Sequence, residues 1–160
     1  MGISARLRII AEKVTPGRVM ADIGTDHGYV PIYVLTHGIC QRVLACDMSP
    51  GALDKARENA ARQGLEGKIT CRLSDGFKEI SPGEIDCAVI SGMGGILMTR
   101  ILLESPEVVE KIEELVLSPH RDAQLVRDTV TGLGFGIISE EEIQDKKKSY
   151  VIIKAVRNSC

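Results

Sequence analysis

Tryptophan is absent from this 160-residue chain, and aromatic residues make up only 3% of it. A core without large rings rests on Ile, Leu, Val and Ala, and a hydrophobic fraction of 44% supplies them. That is enough for one domain to fold without disulfide or metal staples. An excess of basic charge is missing too, since the formal net charge is -2. A protein that grips nucleic acid through bulk charge is basic, so any RNA contact has to come from a local patch. The five cysteines, Cys40, Cys46, Cys71, Cys87 and Cys160, include no Cys-x-x-Cys pair. That spacing argues against a zinc or dithiol centre, and no metal is expected. Cys46, Cys71 and Cys87 fall in apolar strand-like runs, where a buried thiol packs as a small hydrophobe. No apolar run approaches the roughly 20 residues of a membrane span, and the basic N-terminus lacks the apolar stretch of a signal peptide. A cytoplasmic, monomeric protein is expected.

What the sequence does have is an alternation of apolar runs and helical patterns from one end to the other. Residues 4–13 suit a short amphipathic helix capped by Ser4. Residues 18–23 read as a strand, and 28–38 as a helix opened by Gly28 and closed by Gly38. A second strand covers 42–47; Ser49 and Pro50 then give a cap and a first-turn proline to a helix that stops at Gly64. Strands follow at 68–73 and 85–91, then a helix at 94–104, a break at Ser105-Pro106 and a short helical piece. A strand at 114–118 and an amphipathic helix at 121–133 come next, and 135–144 with 149–156 read as a hairpin around the polar tip 145–148. Strands separated by helices imply βαβ units. The predicted fold is α/β and Rossmann-like, a mostly parallel seven-stranded sheet with helices on both faces and a C-terminal antiparallel hairpin. No internal repeat or low-complexity linker divides the chain, so residues 1–160 are expected to form a single domain.

The first predicted strand runs into Asp22-Ile23-Gly24-Thr25-Asp26-His27-Gly28-Tyr29. Gly24 and Gly28 stand where a strand turns into a helix, so the backbone can approach a ligand with no Cβ in the way. The pattern is looser than the G-x-G-x-x-G that holds a pyrophosphate on a helix N-terminus, and Asp26 takes the place of the middle glycine. A carboxylate there repels a pyrophosphate but suits a ligand bearing an amino group and a sulfonium, as S-adenosyl-L-methionine does. Asp47, ending the second strand, can accept both ribose hydroxyls of such a ligand, and Asp22 lies near its amino-acid end. The plainer reading, that Asp47 only caps the next helix, competes with Ser49 for that role. Ser74-Asp75-Gly76 offers an acceptor for an adenine amine; read alone it is an ordinary Asp-Gly turn. Three acidic positions thus meet at the carboxyl edge of the sheet, where open α/β folds bind ligands.

After the fourth strand, Ser91-Gly92-Met93-Gly94-Gly95 offers either a backbone wall for a flat base or a flexible helix start. There is no Asn/Asp-Pro-Pro-Tyr/Phe motif for exocyclic amine methylation and no Pro-Cys nucleophile for pyrimidine carbon-5 chemistry. Past the fifth strand, Pro119, His120 and Arg121 supply a polar rim. His120 reads first as a surface or capping histidine; His27, inside the glycine loop, is the better candidate. Lys146-Lys147-Lys148 reads as a solvated hairpin tip.

The strings from Asp22 to Pro31, Ile90 to Gly95 and Leu115 to Pro119, with the opening Ser4-Ala5-Arg6-Leu7, resemble the bacterial tRNA (adenine-22-N1)-methyltransferase family. The likeness runs from about residue 4 to about residue 156. It implies a class I methyltransferase fold and transfer of a methyl group from S-adenosyl-L-methionine to N1 of an adenine in the tRNA D-loop region, leaving S-adenosyl-L-homocysteine. Carried over by motif, Asp22, Gly24, Asp26, Asp47, Asp75 and Gly92 would contact the cofactor, joined by Gly28, Met48, Gly76, Met93 and Gly94. Asp26, His27 and Tyr29 would lie at the acceptor base as the catalytic group, and Arg6, Pro119 and His120 would face the RNA. The family usually continues into a helical, coiled-coil-like segment, which is absent from this chain ending Arg157-Asn158-Ser159-Cys160. Either the polypeptide is a catalytic core, or a patch such as Arg6, Arg8, Lys13 and Arg100 meets tRNA. Two other readings stay open. One is a cofactor-binding core acting on another substrate or inactive on tRNA by itself. The other is a NAD-linked oxidoreductase, against which Asp26, the missing third glycine and the terminal hairpin count.

Overall fold

Each apolar strand run in this chain is followed by a segment of helical period, and the structure turns that alternation into layers. It is a computed structural model describing residues 2–159, so Cys160 lies outside the described residues. The elements in order are α1 (Ala5–Glu12), β1 (Met20–Ile23), α2 (Tyr29–Thr36), β2 (Val43–Asp47), α3 (Pro50–Arg62), β3 (Ile69–Leu73) and β4 (Cys87–Met93). They continue with α4 (Gly95–Glu104), α5 (Pro106–Val109), β5 (Glu114–Pro119), α6 (Ala123–Gly132), β6 (Phe135–Asp145) and β7 (Lys148–Arg157). The seven strands form one sheet in the order β3-β2-β1-β4-β5-β7-β6. The first five of that order are mutually parallel, and β7 runs antiparallel between β5 and β6. This is the mostly parallel sheet with a closing hairpin that the sequence predicts.

Strand alternation splits the core into two layers. Ala21, Leu44, Ile90 and Leu115 pack on one face with Met98, Leu102 and Val126 from α4 and α6. Met20, Val43, Val89 and Val116 pack on the other with Ile10, Val34 and Ala60 from α1, α2 and α3. Because both faces are covered, the parallel strands read as continuous apolar runs instead of alternating ones. Asp22 shares the parity of Met20 and therefore projects toward the α1–α2 side.

Local signals behave as their chemistry demands. Ser4 and Ser49 accept from Leu7 N and Ala52 N, each at 3.2 Å, capping α1 and α3. Helix α6 begins at Ala123, two residues later than the pattern suggests, because Asp122 sits at φ 57 outside helical space. The hairpin turn contains only Lys146 and Lys147, at φ 50 and 68. Two left-handed residues make the type I′ geometry whose twist matches a hairpin, so β6 and β7 extend further toward the tip than expected. Cys46 and Cys87 are buried, whereas Cys71 is only half-buried because β3 lies at the sheet edge. Among the described residues, no helix is long and apolar enough to cross a membrane.

The order of strands reverses between β1 and β4: the chain builds outward from β1 through β2 to β3, then returns to the other side of β1. Loops leaving the neighbouring carboxyl ends of β1 and β4 diverge there, which opens a crevice.

Candidate active site

The loop after β1 is folded back over the end of β2. Gly24 N and Thr25 N both donate to Cys46 O at 2.9 Å, and Asp26 N donates to Asp47 Oδ2 at 3.0 Å. From α3, Asn59 Nδ2 donates to His27 O at 2.8 Å. These bonds hold Asp26 at φ 56, a left-handed conformation that aspartate tolerates better than most residues but that persists only when its surroundings enforce it. The resulting cleft is lined by Asp22, Gly24, Asp26, Tyr29, Ser91 and Gly92, with Arg6 and Leu7 of α1 among its walls.

Asp22 is 3% exposed, and the Thr25 hydroxyl donates to its Oδ2 at 2.9 Å. Burial pushes its pKa up to about 7; the Thr25 bond pulls the other way, and the charges of Asp47 and Asp26 add to the rise. A buried carboxyl with so little compensation either holds a proton or needs a cationic donor, a need that an ammonium group could meet. Asp47 accepts Asp26 N on one oxygen and Ser49 N on the other, at 3.0 Å each. Each carboxylate oxygen keeps acceptor capacity beyond one such bond, and the helix cap is Ser49, not Asp47. Asp75 meets Lys78 Nζ at 3.1 Å and Arg100 Nη2 at 3.4 Å. The Lys78 bond leads in holding its carboxyl below the usual aspartate range. An adenine amine would join these partners.

The glycines divide into two kinds. Gly92, at φ 77, has nothing within 4 Å of where a Cβ would stand, and Gly24 has only Met93 Cε, at 3.3 Å. These two leave backbone open to the cleft. A Cβ on Gly28 would come within 3.0 Å of Ala56 Cβ on α3, and one on Gly76 within 2.9 Å of Ile101 Cγ2 on α4. Their smallness serves helix packing, a cause that motif spacing does not reveal. Gly94 is the N-cap of α4, Met93 is half-buried, and Met48 is exposed beside Asp47.

In the same loop, His27 stacks on Tyr29 with ring centroids 5.5 Å apart and planes 6° from parallel. His27 Nδ1 lies 3.0 Å from Asp26 Oδ1 but outside hydrogen-bonding geometry. The Arg6 guanidinium lies 4.6 Å from the Tyr150 ring centroid, and its Nη1 is shielded from solvent with no hydrogen-bond partner among the described residues. His120 meets the same ring edge-on at 6.0 Å. Pro119 corrects the sequence reading: β5 runs on to include it, paired with Met93, and it is buried. Buried in the strand, it leaves little surface for a substrate. The expected basic patch is also smaller than four residues. Lys13 pairs with Glu141 at 2.8 Å and Arg100 with Glu104 at 2.7 Å, while Arg6 and Arg8 keep no carboxylate partner among the described residues.

Sequence reasoning passed over Thr25, Asn59 and Tyr150. Asn59 did carry a signal, as a polar residue on the buried stripe of α3 formed by Leu53, Ala56 and Ala60. Tyr150 carried none, because its partner Arg6 lies at the opposite end of the chain.

A family profile described as "Methyltransferase domain" matches residues 3–153. The chain belongs to that family. This methyltransferase is 32% identical over 153 residues to the tRNA (adenine(22)-N(1))-methyltransferase of Bacillus subtilis (strain 168), covering 96% of this chain and 64% of the relative. It therefore spans just under two thirds of that protein's length. A Streptococcus pneumoniae protein solved in complex with S-adenosyl-L-methionine superposes with a TM-score of 0.94 at 30% identity, covering 99% of this chain and 75% of that one. M. capricolum TrmK, solved with S-adenosyl-homocysteine, superposes with a TM-score of 0.89 at 28% identity, covering 98% and 69%. The methyltransferase thus shares its fold with these solved methyltransferase structures.

Proposed function

We propose that this methyltransferase transfers a methyl group from S-adenosyl-L-methionine to N1 of an adenine in tRNA, at position 22 in the D-loop region. The observation that carries the cofactor is Asp22, a buried and sparsely bonded carboxylate in the cleft where β1 and β4 diverge. The acceptor follows from the named relatives and from the aromatic wall of the same cleft. Residues 1–160 act on this reading as one catalytic domain in the cytoplasm.

Bound S-adenosyl-L-methionine supplies an electrophilic methyl group on a sulfonium. Asp22 would hold its ammonium, Asp47 its ribose hydroxyls and Asp75 its adenine amine, while Gly24 and Gly92 leave room for it. Adenine N1 is a nucleophile through its own lone pair, so alignment matters more than a strong base. Tyr29, stacked with His27, gives the acceptor ring a flat surface. Asp26 accepts a hydrogen bond from the N6 amine and takes the proton shed once N1 is alkylated. A dinucleotide fits poorly here, since Asp26 in the glycine loop would face its pyrophosphate with like charge.

A radiolabelled-methyl assay on a tRNA transcript, with mapping of the product, tests the activity. Thermal shifts with S-adenosyl-L-homocysteine against NAD test the cofactor. Asp26→Asn keeps a residue that tolerates the left-handed turn and is expected to lower kcat by about 100-fold, far more than it lowers S-adenosyl-L-homocysteine affinity. Unaltered turnover in that variant would remove Asp26 from the chemistry.

A further inference from the structure

The scarce rings of this chain are unevenly placed. Both phenylalanines, Phe77 and Phe135, are buried in the core. None of the three tyrosines is fully buried, and each lies against one of the three histidines. Tyr29 pairs with His27, Tyr150 with His120, and Tyr33 with His37. Tyr29 of the first pair lines the cleft, and Tyr150 of the second lies against Arg6 in the cleft wall. The third lies outside it, one and two helical turns beyond Tyr29, where Tyr33, His37, Ile3, Ile32 and Thr36 line a surface groove of about 250 Å³. Tyr29 lines both the cleft and this groove, so the two are neighbours on either side of its ring.

The Tyr33–His37 pair is held as a platform. Its ring centroids are 3.9 Å apart and its planes 16° from parallel, with His37 exposed. The Tyr33 hydroxyl donates to Glu12 Oε2 at 3.2 Å, which fixes one edge. His37 Nδ1 lies 3.0 Å from Tyr33 O, and a carbonyl oxygen only accepts, so Nδ1 carries the proton. In the neutral ring Nε2 is then an outward acceptor, suited to an amine or a 2′-hydroxyl. Arg8 lies near Tyr33 and has no carboxylate partner among the described residues. Glu12, the opposing charge, is already engaged by the Tyr33 hydroxyl.

We infer that the Tyr33–His37 groove is a second binding site for the RNA substrate, in which an unpaired nucleobase stacks while the target adenine enters the cleft past Tyr29. The inference rests on the RNA-methyltransferase reading above. Single-stranded and loop RNA is recognised by unstacked bases laid on Tyr and His planes. A domain with a formal net charge of -2 gains little from general phosphate attraction, and stacking supplies affinity without it.

The test uses a fluorescently labelled tRNA transcript with adenine at position 22, measured by anisotropy in S-adenosyl-L-homocysteine, beside a fully paired RNA duplex of equal length. His37→Ala changes an exposed side chain, and Tyr33→Leu keeps apolar bulk if Tyr33→Ala unfolds α2. Each is expected to weaken tRNA binding, and to raise KM for tRNA, by about tenfold. Duplex binding, kcat and S-adenosyl-L-homocysteine affinity should stay unchanged. Wild-type tRNA affinity in both variants would overturn the inference while leaving the methyltransferase reading intact, and an equal loss on the duplex would overturn the assignment to an unpaired base. A wild-type protein that binds tRNA through this groove but methylates none of it would retain the site and remove the proposed activity. A wild-type protein that binds no tRNA would overturn both.

Discussion

Asp22 shows how one buried atom group couples folding to ligand binding. Its pKa of about 7 in the folded protein stands above the ordinary aspartate value of about 4. The folded state therefore holds a proton that the unfolded state has released, and stability from this residue declines as pH rises from about 4 to about 7. Pairing with an ammonium has the opposite demand, because only the carboxylate makes the ion pair. Affinity for S-adenosyl-L-homocysteine, measured by calorimetry in two buffers, is thus expected to rise through pH 7, level off above it, and release a proton below it. Asp22→Asn should raise the melting temperature at pH 8 yet weaken that affinity by more than about tenfold. A flat affinity profile between pH 6 and pH 8 would separate Asp22 from the ammonium.

At the scale of elements, the closing hairpin carries strain that its sequence does not advertise. Lys146 and Lys147 occupy φ 50 and 68, although a left-handed backbone disfavours side chains with a Cβ by about 1–2 kcal/mol per residue. The ladder between β6 and β7 runs from the Phe135↔Arg157 pair to Asp145↔Lys148 and over-determines the turn, so the lysines are carried into it. Replacing them with Asn-Gly, the pair that type I′ turns prefer, is expected to stabilise the protein by about 1–2 kcal/mol in urea unfolding at pH 7. The polar tip was legible from the lysine run, but the turn type was not, because it is set by the strands' register.

Across the whole molecule, the edge of the sheet opposite the cleft is pinned by Glu114, which is 0% exposed at the start of β5. It accepts Thr15 N at 2.9 Å and the Thr15 hydroxyl, and Lys154 Nζ of β7 lies 3.5 Å away. One carboxylate so joins the α1–β1 connection, β5 and β7. Burial alone would push its pKa up; Thr15, the Cys87 thiol and Lys154 together overcome that and hold it below the ordinary glutamate value. With the folded pKa below the unfolded one, the stability it confers is present above about pH 4.5 and lost as pH falls through the folded value. Glu114→Ala leaves Lys154 beside a buried gap and is expected to cost about 3 kcal/mol or more in denaturant unfolding at pH 7. The difference from wild type should shrink toward pH 3.

The alternation of strands and helices, the caps at Ser4 and Ser49 and the acidic positions at successive strand ends were determined by the sequence alone. Those features rest on periodicity and on residues within a turn of each other. The loop string from Asp22 to Tyr29 points to the cleft only together with Asp47 and Asp75, since glycine and aspartate at one strand end also make ordinary turns. Only the tertiary structure decided that Asp22 is buried, that Pro119 is withdrawn from the surface, and that Gly28 and Gly76 answer to neighbouring helices. It also decided that Arg6 and Tyr150, from opposite ends of the chain, meet at one rim. Each of these depends on which distant element packs alongside, and that is settled by strand order and shared burial, which a local pattern does not encode.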